Sequence, residues 1–253
     1  MSLRSRLEYF YDGGLIQAML SDLSYHASAE RLGRILIKRV LWRNHTKEKK
    51  IALTFDDGPH PVFTPRILDI LKTNMTPATF FLIGKHLSNY PAIARRIVSE
   101  GHEASNHTYS HQLLMRLDNA QIKEEILSTH ALISKLNGHT SRFLRPPMGL
   151  FSKRVLDLIE GSGYHTVVGD VYPRDPHRPG KDKIVKRILA RTQPGSIIIL
   201  HDGGNTEKVD RSQTVEAIKE VIPLLKQRGF EFVTLSGMFK LNDSLASAAN
   251  ELR

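Results

Sequence analysis

From about residue 50 onward, short apolar runs alternate with longer amphipathic stretches, and this alternation restricts the fold more than any other feature. The strand-like runs are Ile51–Phe55, Ala78–Ile83, Glu103–Ser105, Arg142–Leu144, His165–Val168, Ser196–Leu200 and Glu231–Thr234. Helix-like stretches lie near 64–73, 88–100, 118–137, 152–162, 181–192 and 212–228. Gly101, Gly138, Gly163 and Gly229 follow four of them, where a left-handed cap is expected. Strand, helix, strand in this order predicts crossover units and a parallel sheet. Seven strands fit a barrel or a doubly wound sheet. In both, functional groups gather at the carboxyl ends of the strands. The chemically loaded residues sit where that rule puts them. Asp56 and Asp57 follow the first run, His107 and His111 the third, Arg145 the fourth, Asp170 the fifth, and His201 with Asp202 the sixth.

Composition sets the outer bounds. The chain has 253 residues, 40% apolar and 25% charged, which is the balance of a folded protein rather than a disordered one. It has no cysteine, so disulfides, thiolate catalysis and cysteine-based zinc sites are excluded. No stretch free of Asp, Glu, Lys and Arg exceeds 12 residues, whereas a spanning helix needs about 18 or more. The opening M-S-L-R-S-R shows no apolar core of signal-peptide length.

The first 50 residues hold ten Lys/Arg against five Asp/Glu, which is half of the net charge of +10. The densest part, R-I-L-I-K-R-V-L-W-R at 34–43, is expected to be a helix with Arg34, Lys38 and Arg39 on one face. It has two readings: a solvated cap on the domain, or a segment drawn peripherally to an anionic surface. No basic groove interleaved with aromatics appears, so nucleic acid is not an expected partner.

Five short segments carry the chemistry. In T-F-D-D-G-P-H (Thr54–His60), two adjacent carboxylates leave a strand end in different directions, so one can bind a cation while the other faces substrate as a base. In S-N-H-T-Y-S-H, His107 and His111 are four apart; on a helical turn both imidazoles share one side. Two imidazoles and a carboxylate make a catalytic zinc-type site. In L-R-P-P-M-G, two prolines stiffen the chain after Arg145, whose guanidinium can orient one of the paired acids. G-D-V-Y-P-R-D-P offers Asp170 and Asp175. In I-I-I-L-H-D-G-G, an apolar strand delivers His201, either as a general acid backed by a carboxylate or as a third metal ligand.

In order and spacing, these five segments resemble the motifs of NodB-like polysaccharide deacetylases over about residues 50–236. The resemblance implies a distorted (β/α)7-type barrel that removes N- or O-acetyl groups using one divalent metal, zinc foremost, with cobalt or manganese as substitutes. By position, Asp57, His107 and His111 would hold the metal, Asp56 would be the general base restrained by Arg145, and His201 the general acid. Asp175 would tune His201, with Asp170 as its substitute. The Met148 backbone N–H would support the oxyanion, and Pro147 and Tyr172 would line the substrate site. Met148 stands where the family often has Tyr, and Pro176 where it often has Trp; the second change removes an apolar wall beside the acetyl pocket. Arg174, His177 and Arg178 then point to a polar or acidic glycan.

The implied organisation is a basic helical extension (1–48), a catalytic domain (49–240) and a tail (241–253). The expected partner is an acetylated oligo- or polysaccharide, and family members act on envelope or external polymers. Two alternatives stand beside it. One is a non-catalytic glycan-binding module with a vestigial site. The other is another metal-dependent hydrolase on a similar barrel, such as a phosphoesterase, whose sites tend to bridge two metals with extra acids.

Overall fold

The structure, a computed structural model, describes residues 38–137 and 141–240, with Asn137 described by its backbone alone. The eight strands among the described residues are β1 (Val40–Leu41), β2 (Lys50–Gly58), β3 (Thr79–Leu82), β4 (Glu103–Asn106), β5 (Phe143–Leu144), β6 (His165–Val167), β7 (Ile197–His201) and β8 (Glu231–Phe232). The helices are α1 (Phe63–Thr73), α2 (Gly84–Asn89), α3 (Pro91–Ser99), α4 (Asn119–Asn137), α5 (Lys153–Gly161), α6 (Lys181–Arg191), α7 (Ser212–Gln227) and α8 (Leu235–Phe239).

The strand order is β1-β6-β5-β4-β3-β2-β7, with β8 paired to β2. The pairs among β2 to β8 are parallel. The order runs β6 to β2 without the reversal that marks a doubly wound sheet, so the chain winds one way, as in a barrel. The closure is irregular. Val171, just beyond β6, bridges Ile198 on β7, and Arg43 bridges Ser196 antiparallel.

β2 and β7 form the centre. K-I-A-L-T-F-D-D-G is buried from Ile51 to Gly58, and I-I-I-L-H is buried through Leu200. Near-continuous burial is what a parallel strand covered on both faces requires. Phe55 and Phe80 stack at 5.0 Å on neighbouring strands. The helices present one apolar stripe each: Phe63, Ile67, Leu68 and Leu71 on α1, and Val215, Ile218, Val221, Ile222 and Leu225 on α7. Gly101, Gly163 and Gly229 adopt φ of 80–85°, as expected of left-handed caps; Gly138 lies outside the described residues.

Three local expectations need correction. The helix expected near 88–100 is two helices broken at Tyr90, because Pro91 starts a new one. The first strand runs on through Asp56 to Gly58 rather than ending at Phe55. The helical reading of 34–43 fails at its end: Val40 and Leu41 form β1, and the Leu41 carbonyl accepts a hydrogen bond from Val168 N–H. Residues 34–37, like the rest of the basic segment before Lys38, lie outside the described residues. No helix among the described residues is long and apolar enough to cross a membrane.

Candidate active site

The carboxyl end of β2 departs from regular pairing at the two acids. Asp56 is level with Phe81 on β3 and with His201 on β7, but the next partner on β3, Leu82, pairs with Gly58. Asp57 is therefore an extra residue in the ladder, with φ of 70°. Adjacent side chains on a regular strand face opposite ways; a bulge re-aims one of them. The bulged backbone is held on two sides. His86 Nδ1–H on α2 donates to the Asp57 carbonyl at 3.0 Å. Gly203 lies so close to that carbonyl that a Cβ there would come within 2.1 Å of it.

His107 and His111 approach from the loop after β4. His107 Nδ1–H donates to the Arg145 carbonyl at 2.7 Å, which turns its Nε2 lone pair inward. That Nε2 lies 3.3 Å from Asp57 Oδ1, and His111 Nε2 lies 3.2 Å from the same oxygen. The loop is not the helical turn that the spacing of four suggests: Thr108 and His111 both have positive φ, 64° and 56°. The local hydrogen bonds explain the difference. Asn106 Oδ1 accepts Thr108 N–H, and Glu125 on α4 accepts Tyr109 and Ser110 N–H, donors a helix would use internally.

The three donor groups lie within 4.8 Å of one another. Asp57 Oδ1 is buried with no hydrogen-bond partner, and a buried polar atom in that state needs an explanation. Burial pushes the Asp57 carboxyl up, but the close approach of His107 and the positive charge of His201 hold it below the usual carboxylate range. Burial, aided by the neighbouring His107, pushes His111 down to about 4, so its imidazole is neutral and its lone pair available. An ionised carboxylate with two imidazole nitrogens close to it fits one divalent cation.

Asp56 is held differently. Arg145, almost wholly buried, donates from Nη1 to Asp56 Oδ1 at 2.5 Å and to Thr54 Oγ1 at 2.9 Å. Its guanidinium lies 4.1 Å from the centre of the Phe81 ring, which fixes its plane. Burial lowers the Arg145 pKa, yet Asp56 beside it favours the charged form.

Across the mouth, His201 Nδ1 contacts Asp175 Oδ1 at 3.1 Å, while Asp175 Oδ2 accepts His201 N–H and the Thr214 hydroxyl at 2.9 Å each. Burial disfavours the imidazolium, but Asp175, with Asp57 and Asp56, outweighs it and pushes His201 up to about 9. Asp170 does not take part. Its carboxylate accepts Ile197 N–H and the Ser196 hydroxyl at the opposite end of β7 from His201, and burial raises it to about 6. The Tyr172 ring lies 6.1 Å from the His201 ring. Pro147 is buried, and Met148, with φ of 59°, turns a half-exposed side chain outward.

Other residues emerge only in three dimensions. Thr54, Thr214 and His86 each hold a site residue, and Glu125 holds Tyr109 and Ser110 between the two histidines; these pairings span 15 to 91 positions, and no local pattern announces them. Asp202, adjacent to His201, is buried against Gly58; its Oδ2 accepts the Thr64 hydroxyl at 2.5 Å. Burial raises it to about 7.

Known proteins match this arrangement. Residues 43–167 match the family model described as polysaccharide deacetylase. The chitooligosaccharide deacetylase of Bradyrhizobium sp. (strain ANU 289) is 42% identical over 191 residues, covering 72% of this chain and 87% of that protein. A peptidoglycan-N-acetylglucosamine deacetylase of Bacillus cereus is 37% identical over 203 residues, covering 79% and 93%. The crystal structure of a peptidoglycan N-acetylglucosamine deacetylase in complex with an N-oxidanyl-benzamide superposes with a TM-score of 0.77 at 34% identity, covering 81% of this chain and 94% of that one. Identity at this level over most of both chains leaves one conclusion: this protein belongs to the polysaccharide deacetylase family.

Proposed function

We propose that the chain is a metal-dependent hydrolase that removes acetyl groups, N-acetyl foremost, from a glycan built on N-acetylglucosamine. The observation that carries this reading is the unpartnered Asp57 Oδ1, flanked by two imidazole nitrogens beside the arginine-held Asp56. N-acetylglucosamine is the unit shared by the substrates in the relatives' names. A target outside the cytoplasm is part of the same proposal, and the peptidoglycan in one relative's name supports it. Zinc is the proposed ion, with cobalt or manganese as substitutes, and Asp57, His107 and His111 would hold it.

Such a cation supplies Lewis-acid chemistry, lowering the pKa of water to about 7 and polarising a carbonyl. The remaining work belongs to side chains. Arg145 ties down Asp56 Oδ1, so the carboxylate keeps one orientation while its other oxygen accepts the proton of the attacking water. The Met148 N–H supports the oxyanion on the acetyl carbon. His201, with Nδ1–H on Asp175, donates the Nε2 proton to the departing amine. Tyr172 stands beside His201 as an aromatic wall, and Pro147 stiffens the turn that carries Met148. The loop 173–180 meets the sugar with polar groups and is pinned by Arg178 to Asp210 (2.7 Å) and by Arg187 to the Pro173 carbonyl (2.8 Å).

Among the described residues one cluster of metal-binding side chains is present, where a two-metal phosphoesterase would need more acids. The test is a mass-spectrometric screen of chitin, peptidoglycan and xylan fragments for loss of an acetyl group. Loss from the first two classes supports the reading. Binding without any loss, at every metal loading, refutes it in favour of a binding module.

A further inference from the structure

The loop between His107 and His111 is an unfavourable piece of backbone. Two of its non-glycine residues have positive φ, and its middle amides turn away from any helical partner. One side chain outside the loop compensates. Glu125, 8% exposed on α4, puts Oε2 on Tyr109 N–H (2.9 Å) and Ser110 N–H (2.8 Å), and Oε1 on the Ser110 hydroxyl (2.5 Å). Three of the loop's polar donors therefore end on one carboxylate. The loop's two sides are fastened separately. Asn106 Oδ1 takes Thr108 N–H, Asn106 Nδ2–H reaches the Ile126 carbonyl, and Gly84 and Lys85 N–H donate to the Thr108 and Tyr109 carbonyls. Gly84 packs so tightly that a Cβ would lie 2.6 Å from both Thr129 Oγ1 and a Tyr109 ring carbon.

We infer that Glu125 is the positioning residue that presets the spacing of the two histidines, so that they meet Asp57 before any cation arrives. The inference rests on the metal site proposed above and names what builds it. Without the carboxylate, two amides lose their acceptor and the left-handed turn at His111 is released, while Asn106 and Gly84 still hold the turn at Thr108. His111, on the far side of the clamp, then gives up its fixed distance to Asp57. His107 is retained by the Arg145 carbonyl. The cost falls on cation affinity, because ordering the ligands has to occur at binding.

The test is calorimetric titration of metal-free protein with zinc, with visible absorption of the cobalt form as a second readout and thermal unfolding of the metal-free form as a control for folding. Glu125→Ala is expected to weaken zinc binding by about 10–100-fold, the range for loss of a residue that orients metal ligands, and to alter the cobalt spectrum. Glu125→Gln is expected to restore most of the affinity, since one amide oxygen can accept both N–H groups. Glu124→Gln, on the exposed face of the same helix, is expected to bind as wild type. A folded Glu125→Ala protein with wild-type zinc affinity overturns the inference. Should that variant not fold, Ser110→Ala decides: severalfold weaker binding supports the clamp, and unchanged binding overturns it. A wild-type protein that binds no zinc overturns instead the proposed metal site.

Discussion

Replacing Asp175 with Asn removes the charge that makes His201 an acid while keeping a side chain able to accept from Thr214. His201 stands near 9 because three carboxylates outweigh its burial. When a cation occupies the site, it neutralises the effect of Asp57, so Asp175 becomes the chief support for the imidazolium. Without it, His201 in the metal-free protein should fall from about 9 to its ordinary value of about 6.5 or below, a change of about 2.5 units or about 3.4 kcal/mol. Activity requires the protonated ring, so it is lost as pH rises through the His201 pKa. The basic limb of kcat/KM for N-acetylglucosamine oligomers is therefore expected to lie at clearly higher pH in wild type than in Asp175→Asn, where it falls to about 6.5 or lower. Nitrogen-15 shifts of the ring should titrate over the same range. The same charge stabilises the fold: a raised histidine pKa gives stability fully present below about 6.5 and lost through about 9, and the variant lacks it. A basic limb that stays in place refutes both the acid role and the source of its shift.

Asp56→Asn should keep zinc affinity and lose about 100–10,000-fold in turnover, the usual contribution of a general base; full activity excludes the base role. Zinc at about 100 times its Kd should stabilise wild type by about 2.7 kcal/mol in chemical denaturation, and Asp57→Ala should show none of this. In the metal-free protein, Asp202 retains its proton up to about 7, whereas an unfolded Asp lets it go near about 3.9. Stability should therefore fall as pH rises between those values, and Asp202→Asn should flatten that slope. Phe80→Ala, in the stacked pair with Phe55, should cost about 3–5 kcal/mol in urea denaturation.

The repeating pattern was legible because burial on both faces leaves a strong local trace. I-I-I-L-H and K-I-A-L-T-F are apolar wherever they touch the helices, and the left-handed caps need glycine at Gly101, Gly163 and Gly229. The two-residue strand β1 left no such trace inside a basic segment. The acids and histidines were visible as residue types at strand ends, but their aim was not. A bulge at Asp57 and left-handed turns at Thr108 and His111 set it, and both depend on distant partners such as His86 and Glu125. The sequence favoured Asp175 by position and left Asp170 as its substitute; the register of β7 separates them physically, with Asp170 at its start and Asp175 at its end.

The most direct test of the account is stepwise return of zinc to chelator-treated protein, following acetate released from an N-acetylglucosamine oligomer. Activity should vanish with the chelator and climb in proportion to added zinc until each chain holds one ion. Activity that survives chelation, or that keeps rising to a second ion per chain, would contradict a site made of Asp57, His107 and His111 alone.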